Sequence, residues 1–487
     1  MDEVEELKKV LYQEKERAKK ELFKREKFKG EILEKRGDFA ILRLEKEVES
    51  GKTLGYFDDS ISNFGYVVSS QGKEVLVKLM TKEEPEEFIE SENLSLYDVQ
   101  IEMLNRFNPE VIRPFSKKFK LKYNERLDKW QNLAFSATME MGKGEFLLVI
   151  GPPGTGKTRF IVEAAKSVNK CLITAHTNRA VDNIVQSFSK AVRIGYKREN
   201  LFEEIEKLKE IRREIARAKV VGATLMKCAF FNFPTRFDYV FVDESSQANI
   251  AEVLSAVYSG ERVVLVGDPY QLPPVLRCKK PERFSAFNFF YKISRKAVWL
   301  RTHYRSNPEI IGFSAKYIYG GKLKAHNSCR KISLKFKKFP QKFNRILSPK
   351  LPVVMLIHGG REERVGQSKI NRREAVLSAE LFRELTCCGI RDIGIITPYV
   401  EQRKLIKNLA NCEVNTVDAF QGREKDVIIY STVSPGFSSN WRRFNVAVTR
   451  AKKKLIVISN VSILNFKNSL LYKFYEYAKS KNAVFVL

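Results

Sequence analysis

The chain has 487 residues, of which 44% are hydrophobic, and it carries 87 Lys+Arg against 58 Asp+Glu, a formal net charge of +29. This length predicts about three domains, and the hydrophobic content is typical of folded chains. No run approaches the ~20 apolar residues of a membrane span, and the acidic start excludes a secretory signal. We therefore expect a cytoplasmic protein without membrane segments, with the nucleus left open, and the positive charge favours a nucleic-acid partner.

The first 108 residues predict a small β structure carried on helices. Residues 1–36 hold 12 basic and 10 acidic side chains around a narrow apolar stripe, which predicts a long helix packed on its own protein rather than a dimeric coiled coil. Residues 82–108 also have a helical pattern and are acidic. Between them, residues 37–81 contain three strand-like runs separated by turn residues, which predicts a small antiparallel sheet or barrel.

Beyond about residue 120, short apolar strands alternate with helical patterns, which predicts an α/β fold with a doubly wound sheet. Within this part, residues 277–350 contain 20 Lys/Arg and two Glu, interleaved with aromatic residues. We expect this segment to form a surface that binds a phosphate backbone, because so much positive charge creates a strong local field. A solvated basic face is the alternative.

Residues 151–158 read GPPGTGKT, directly after an apolar strand and before a helical pattern. This is the context in which a phosphate-binding loop functions, since glycines let backbone N–H groups surround phosphate oxygens at a helix N-terminus. Lys157 is predicted to bridge the β- and γ-phosphates and Thr158 to coordinate Mg²⁺. The other predicted nucleotide contacts in the loop are Gly151, Gly154, Thr155 and Gly156.

Two further strand ends complete this predicted site. An apolar run ends in Asp243 and Glu244; the first carboxylate is expected to hold Mg²⁺, and the second to orient and deprotonate the attacking water. The strand-like run after it leads into Gln271, which can reach the γ-phosphate. Two surface acids capping a strand are the alternative for the acidic pair. The chain has no Asn-Lys-x-Asp run for guanine recognition, which disfavours a GTPase.

Taken in order, these motifs resemble a superfamily 1 helicase of the 5′–3′ branch, which includes the nonsense-mediated-decay and immunoglobulin-mu-binding helicases. Gln131 is similar to the family's adenine-reading residue ahead of the phosphate loop. Residues 300–308, LRTHYRSNP, resemble its Gln-Tyr-Arg-Met-His-Pro motif, with His303 in place of Gln. The resemblance implies that Tyr304 stacks on adenine and that Arg305 reaches the γ-phosphate from a second lobe.

The resemblance continues to about residue 455 and implies the remaining site residues. Residues 416–427 match the family's most recognisable run, whose Glu424 is expected near the ribose and phosphates. Residues 445–452 match its last motif, in which Arg450 is the second expected arginine finger. The implied catalytic residues are Lys157, Glu244, Gln271, Arg305 and Arg450. The implied nucleic-acid contacts are Thr177, Asn178, Thr224, Thr397, Pro398 and Thr416.

The resemblance also implies an architecture of two tandem RecA-like P-loop lobes behind a helical stalk that carries a small β-barrel. The expected boundaries are residues 1–36 and 82–108 for the stalk, 37–81 for the barrel, 109–285 for the first lobe with a reduced helical insertion at 190–219, and 286–487 for the second lobe.

The predicted function is ATP- and Mg²⁺-dependent movement in the 5′–3′ direction along single-stranded or tailed duplex DNA or RNA, with unwinding, by a protein that acts as a monomer. One alternative is a nucleic-acid-stimulated ATPase that remodels nucleoprotein without processive unwinding. Another is a non-catalytic nucleic-acid-binding module, which the joint presence of all the ATP-site residues disfavours.

Overall fold

In this computed structural model, the described residues are 2–22, 24–49, 52–57, 61–91, 94–194, 210–231, 233–434, 436 and 440–487. Within these ranges, no helix is both long enough and apolar enough to cross a bilayer. Half of the predicted helical insertion at 190–219, residues 195–209, lies outside the described residues.

A closed antiparallel barrel follows the first helix, with the strand order β1-β2-β5-β4-β3-β6. Its strands are β1 Lys27–Arg36, β2 Phe39–Leu44, β3 Thr53–Phe57, β4 Ile61–Gln71, β5 Glu74–Leu79 and β6 Glu87–Ser91. The flanking helices are α1 Asp2–Leu22 and α2 Ser95–Asn105.

The predicted limits of stalk and barrel are therefore wrong, because residues 27–36 and 87–91 are strands rather than stalk helix. These two strands pair with each other, with Phe28 opposite Phe88, and so close the barrel. Their many charged residues resemble a helix surface locally, and only the long-range pairing identifies them as strands. A Cβ on Gly30 would lie 2.6 Å from Leu44, so a glycine is needed for this close crossing.

Helix α1 lies along the first lobe. Its apolar stripe of Val4, Leu7 and Leu11 packs into the core of that lobe, so the prediction that this helix packs on its own chain is confirmed. Along the edges of the stripe, glutamates meet part of the basic segment in three ion pairs. The pairs are Glu21–Arg277, Glu6–Arg283 and Glu3–Lys292.

The first lobe is a parallel sheet with the order β10-β11-β9-β12-β13-β8-β14, and β7 also pairs with β8. Helices cover both faces, so the strands are buried apolar runs. The strands are β7 Arg113–Pro114, β8 Glu145–Ile150, β9 Cys171–Ala175, β10 Ala191–Arg193, β11 Val220–Thr224, β12 Tyr239–Asp243, β13 Arg262–Gly267 and β14 Val298–Trp299. The helices are α3 Lys129–Met139, α4 Lys157–Lys166, α5 Asn178–Val185, α6 Leu225–Phe230, α7 Ile250–Val257 and α8 Ala286–Ser294.

The second lobe contains a second parallel sheet, with the order β21-β20-β22-β23-β17-β24. Its strands are β17 Val353–His358, β20 Ile393–Ile396, β21 Val414–Asn415, β22 Lys425–Ser431, β23 Ala451–Asn460 and β24 Val484–Val486. Two small strand pairs accompany it, β15 Thr302–His303 with β16 Lys324–Ala325, and β18 Glu363–Val365 with β19 Ser368–Ile370. The helices are α9 Pro308–Tyr317, α10 Arg372–Cys387, α11 Val400–Leu409, α12 Trp441–Val448 and α13 Leu470–Lys479.

The chain crosses between the lobes later than the predicted boundary at residues 285 and 286. Helix α8 packs in the first core, where Phe290 contacts Phe146 with ring centroids 5.0 Å apart. Strand β14 pairs with β8 of the first sheet, whereas α9 belongs to the second core. Because this assignment depends on which core receives an aromatic helix, local sequence did not reveal it.

Candidate nucleotide site and strand-binding edge

The phosphate-binding loop connects β8 to α4, as the sequence predicts. Gly154 and Gly156 have φ angles of +72° and +77°, in the left-handed region that side chains rarely adopt. A Cβ on Gly156 would also lie 2.4 Å from the Gln131 side-chain nitrogen, and one on Gly151 would lie 2.4 Å from Cγ of Lys157. Gly156 is therefore required both for backbone conformation and for space, Gly154 for its backbone conformation, and Gly151 for space.

Lys157 joins this loop to the acidic end of β12. Its Nζ donates to the carbonyl oxygen of Gly151 at 3.1 Å and lies 3.4 Å from Oε1 of Glu244. Burial raises the pKa of Asp243 to about 7, and the negative charge of Glu244 adds to this shift. Burial also acts to raise the pKa of Glu244, but the positive charges of Lys157 and Arg450 outweigh it and lower that pKa. Glu244 is therefore held as a carboxylate.

The second lobe places two guanidinium groups in the same cleft. Arg450 donates from Nη2 to Oε1 of Gln271 at 3.1 Å, across the lobe boundary, and from Nε to the carbonyl oxygen of Val446 at 3.0 Å. Arg305 is ion-paired with Glu424 at 2.5 Å. Burial lowers the pKa of Arg450 to about 10, and the nearby Arg305 adds to the shift. Both arginines line one cavity of about 520 Å³ together with the phosphate-binding loop.

Gln271 is held by a buried hydrogen-bond chain that also crosses the lobe boundary. Its Nε2 donates to Oδ2 of Asp268 at 2.9 Å, and Tyr319 donates to the same oxygen at 2.7 Å. Asn445 in turn donates to the Tyr319 hydroxyl at 3.1 Å. Burial raises the pKa of Asp268, while the bonds from Gln271 and Tyr319 oppose that shift. The Gln271 side chain, which lies beside Arg450, is thus held in place by residues from both lobes.

A second cavity, of about 400 Å³, adjoins the first where a base would lie. The Tyr304 hydroxyl donates to Oδ2 of Asp128 at 2.8 Å, and its ring lies 4.9 Å from that of His326. Gln131 donates to the carbonyl oxygen of Thr155 at 2.9 Å. The residues that line both cavities are Gly154, Gly156, Arg305 and Glu424.

The chain is similar in sequence to known proteins. Two family models, both described as AAA domain, match residues 126–209 and 189–279 in one case and residues 283–462 in the other. The chain is 34% identical over 385 residues to the DNA replication ATP-dependent helicase/nuclease DNA2 of Xenopus laevis, with 66% of this chain and 36% of the relative covered. The chain belongs to the superfamily 1 helicases.

Other relatives match a similar share of this chain. The DNA replication ATP-dependent helicase/nuclease JHS1 of Arabidopsis thaliana is 30% identical over 370 residues, with 66% of this chain and 27% of the relative covered. The helicase therefore spans about a third of the length of these curated relatives. A solved complex of arterivirus nonstructural protein 10 (helicase) with DNA overlaps 92% of this chain and 79% of its own, at 14% identity and a TM-score of 0.46.

His303 connects the phosphate-binding loop to the start of the second lobe through hydrogen bonds. Nδ1 of His303 lies 2.7 Å from the carbonyl oxygen of Pro153, to which it donates, and Nε2 accepts from the backbone N–H of Ser306 at 2.9 Å. Burial lowers the pKa of His303 to about 4, so the ring is neutral near pH 7. The backbone N–H of Tyr304 donates to the carbonyl oxygen of Gly154 at 2.8 Å.

The residues of the first lobe that are predicted to contact the nucleic-acid strand lie at the carboxyl edge of its sheet. Thr177 and Thr224 cap helices α5 and α6, and Oδ1 of Asn178 accepts from Arg193 at 2.7 Å. Asn178 and Thr224 also line a cavity of about 1010 Å³ that reaches the barrel and stalk. This edge is thus continuous with the N-terminal domains.

The residues of the second lobe that were predicted to contact nucleic acid differ in their exposure. Thr416 is half-buried after β21, and its hydroxyl accepts from the backbone N–H of Ala419 at 3.4 Å. Pro398 is half-buried after β20. Thr397 is fully buried, and its hydroxyl has no hydrogen-bond partner in the described part of the helicase. The role of Thr397 as a nucleic-acid contact stays a prediction, and in this conformation its side chain is not exposed for one.

Sequence reasoning missed three residues of the nucleotide site. Asp268 stands in the same run as Gln271, three positions earlier, and that spacing is a signal that could have found it. Tyr319 and Asn445 lie 51 and 177 residues further along the chain than Asp268 and carry no local signal of their partnership.

Proposed function

We propose that the protein hydrolyses ATP to move along single-stranded DNA in the 5′–3′ direction and to unwind tailed duplexes. The observation that carries this proposal is the meeting of Arg305 and Arg450 from the second lobe with Lys157 and Glu244 from the first lobe in one cleft. A cleft built in this way closes around a nucleotide and opens when its γ-phosphate leaves, so it converts hydrolysis into relative motion of the lobes.

Each lobe forms one wall of the cleft, and the residues on the two walls have separate roles. Lys157 and the loop N–H groups hold the β- and γ-phosphates. Glu244, kept as a carboxylate, orients the attacking water and accepts its proton. Arg305 and Arg450 stabilise the negative charge that develops on the γ-phosphate oxygens. Tyr304 and Gln131 bind the base in the adjoining cavity.

We propose Mg²⁺ as the metal, held by Asp243 and the hydroxyl of Thr158. The donor chemistry fits, because Mg²⁺ prefers carboxylate and hydroxyl oxygens together with phosphates. Oδ1 of Asp243 accepts from the backbone N–H of Glu244, and Asp243 and Thr158 line the same cleft. When bound, the ion neutralises negative charge on the phosphates.

The proposals for the substrate and for the direction of movement rest on different observations. The relatives' names favour DNA, whereas the 5′–3′ direction and monomeric action rest on the motif resemblance. RNA remains the alternative substrate. A nucleic-acid-stimulated ATPase without processive unwinding is the competing activity, because the same cleft serves both.

The test measures ATP turnover without nucleic acid and with single-stranded DNA or RNA, and then unwinding of 5′- and 3′-tailed duplexes. We expect stimulation mainly by single-stranded DNA and unwinding only of the 5′-tailed duplex. Stimulation without unwinding would favour the competing ATPase, and no turnover at all would contradict the proposal.

A further inference from the structure

The second half of the basic segment forms a separate surface, which we call the basic strap and define as residues 327–350. The strap contains eight Lys or Arg residues and no Asp or Glu. It lies between β16 and β17 and packs on α10, on the face of the second sheet opposite to the core that receives Leu272 of the first lobe.

The strap is fixed to the lobe. Leu334, Ile346 and Leu347 are buried in the same core as α10. The backbone N–H of Lys337 donates to the carbonyl oxygen of Cys388 at 3.0 Å. Two further strap N–H groups, those of Gln341 and Lys342, donate to Oε1 of Glu384 at 2.6 and 3.0 Å. A ligand therefore binds it without paying to order a loop.

Four lysines of the strap are exposed and without acidic partners among the residues that the structure describes. They are Lys331, Lys335, Lys337 and Lys338. The nearby acids are already engaged, since Glu384 accepts the two backbone bonds and Glu380 pairs with Lys342 at 2.9 Å. Beside the lysines, the ring of Phe339 is 80% exposed. Unpaired cations around an exposed aromatic ring match the phosphates and bases of a nucleic acid.

The strap lies apart from the edge of the second lobe that carries the predicted nucleic-acid contacts. Lys337 lies against Cys388 and Gly389, which precede β20, whereas Pro398 follows the end of β20. The four residues of that strand separate the two places by about 13 Å along the strand direction. The strap thus faces a different edge of the lobe from the predicted strand contacts.

We propose that the basic strap is a second nucleic-acid-binding surface, which holds a segment of the substrate beyond the single strand gripped by the two lobes. This inference rests on the proposed function and adds a contact site outside the helicase motifs. The lysines bind phosphates, and Phe339 packs on an exposed base or sugar. The strap increases the affinity for long or branched substrates without taking part in hydrolysis.

The test replaces Lys331, Lys335, Lys337 and Lys338 with Gln and compares the variant with a control that makes the same change at four ion-paired lysines. The control positions are Lys19, Lys143, Lys166 and Lys481. We expect the strap variant to bind a 5′-tailed duplex about tenfold more weakly, with the salt slope reduced by about 3–4. Binding of a strand of about 8 nucleotides, and the ATP turnover that it stimulates, should stay within twofold.

Equal losses in the control, or equal losses for the short strand, would overturn the proposal. So would an unchanged salt slope, which is the result expected if the strap binds an acidic protein instead. Phe339→Ala should weaken duplex binding about threefold to tenfold without changing the slope, and no effect would overturn the packing role. These binding measurements need no hydrolysis, so they are distinguishable from a failure of the ATPase test.

Discussion

Each lobe is built on its own parallel sheet, but the two lobes present opposite edges of these sheets to the nucleotide cleft. The first lobe contributes residues at the carboxyl ends of its strands, where Asp243 ends β12 and Gln271 follows β13. The second contributes residues just before strands begin, with Glu424 before β22 and Arg450 before β23. Because different connecting segments line the two edges, the similar folds supply different side chains to the cleft. The difference teaches that the cleft is not a duplicated site.

The two walls also differ in the charge that they bury. The first wall buries carboxylates, and burial raises the pKa of Asp243 and of Asp268. The second wall buries guanidinium groups, and burial lowers the pKa of Arg305 and of Arg450. Each wall is therefore costly to desolvate alone. The proposed metal ion would supply positive charge to the first wall and the nucleotide phosphates would supply negative charge to the second, which would favour closure.

The largest expected effect comes from removing a cation of the second wall. Arg450→Ala should lower ATP turnover by about 10³–10⁵-fold, because the γ-phosphate oxygens lose their stabilising charge. The measurement is steady-state hydrolysis with saturating single-stranded DNA. The exposed Arg383→Ala is the control and should leave turnover unchanged. Turnover near the unmodified rate in the Arg450 variant would contradict the division of roles between the walls.

The matching change in the first wall is Lys157→Ala. Turnover should fall by about 10²–10³-fold, with weaker nucleotide binding, while strand binding stays largely intact because the strand contacts lie elsewhere. Hydrolysis and strand affinity are measured on the same preparation. Lys166→Ala, on the same helix but paired with Glu163, should behave as the unmodified protein. Joint loss of strand binding would indicate a folding defect instead.

A smaller effect is expected at the connection between the lobes. His303→Ala leaves the carbonyl oxygen of Pro153 without its donor and loosens the phosphate loop, so turnover should fall about tenfold to hundredfold. His303→Gln can still donate and should recover most of the rate. Because the pKa of His303 is lowered to about 4, this contribution should not change between pH 6 and 8. Equal rates in both variants would show that the hydrogen bond has no role.

The smallest expected effect concerns a buried cation away from the cleft. Lys454 on β23 donates to the carbonyl oxygens of Ser348 and Leu351 at 3.1 and 2.5 Å, and burial lowers its pKa to about 7. The unfolded chain binds more protons than the folded one from about pH 7 to 10.4, so this residue's contribution to the free energy of unfolding rises with pH across that window.

Lys454→Met should therefore stabilise the protein by about 2 kcal/mol below pH 7, and the gain should shrink towards pH 10. Chemical denaturation of both proteins at pH 6, 8 and 10 measures it, with the exposed Lys473→Met as a control that should show no such trend. A gain that stays constant with pH would mean that the cost of burying this cation is not its origin.

Features built from a few consecutive residues were predictable from the sequence. The phosphate loop needs only its glycines, Lys157 and Thr158 after an apolar strand, and the acidic pair needs only the end of β12. The parallel α/β architecture was expected because the buried strands are continuous apolar runs, and its division into two lobes was implied by the family resemblance. The ends of the barrel were not predictable, because the charged β1 and β6 close it by pairing with each other across about 60 residues of chain, in addition to their pairing with β2 and β3.

The sequence by itself determined the phosphate loop, the acidic end of β12 and the identities of the charged residues on each wall, and its family resemblance implied the two lobes. Only the tertiary structure decided that Arg450 meets Gln271, that Tyr319 and Asn445 complete the buried chain through Asp268, and that the basic segment divides between α1 and the strap. The physical reason is range. The phosphate loop and the buried apolar strands depend on neighbours in sequence. Ion pairing, burial and the closing of the barrel depend on groups that folding brings together from distant parts of the chain.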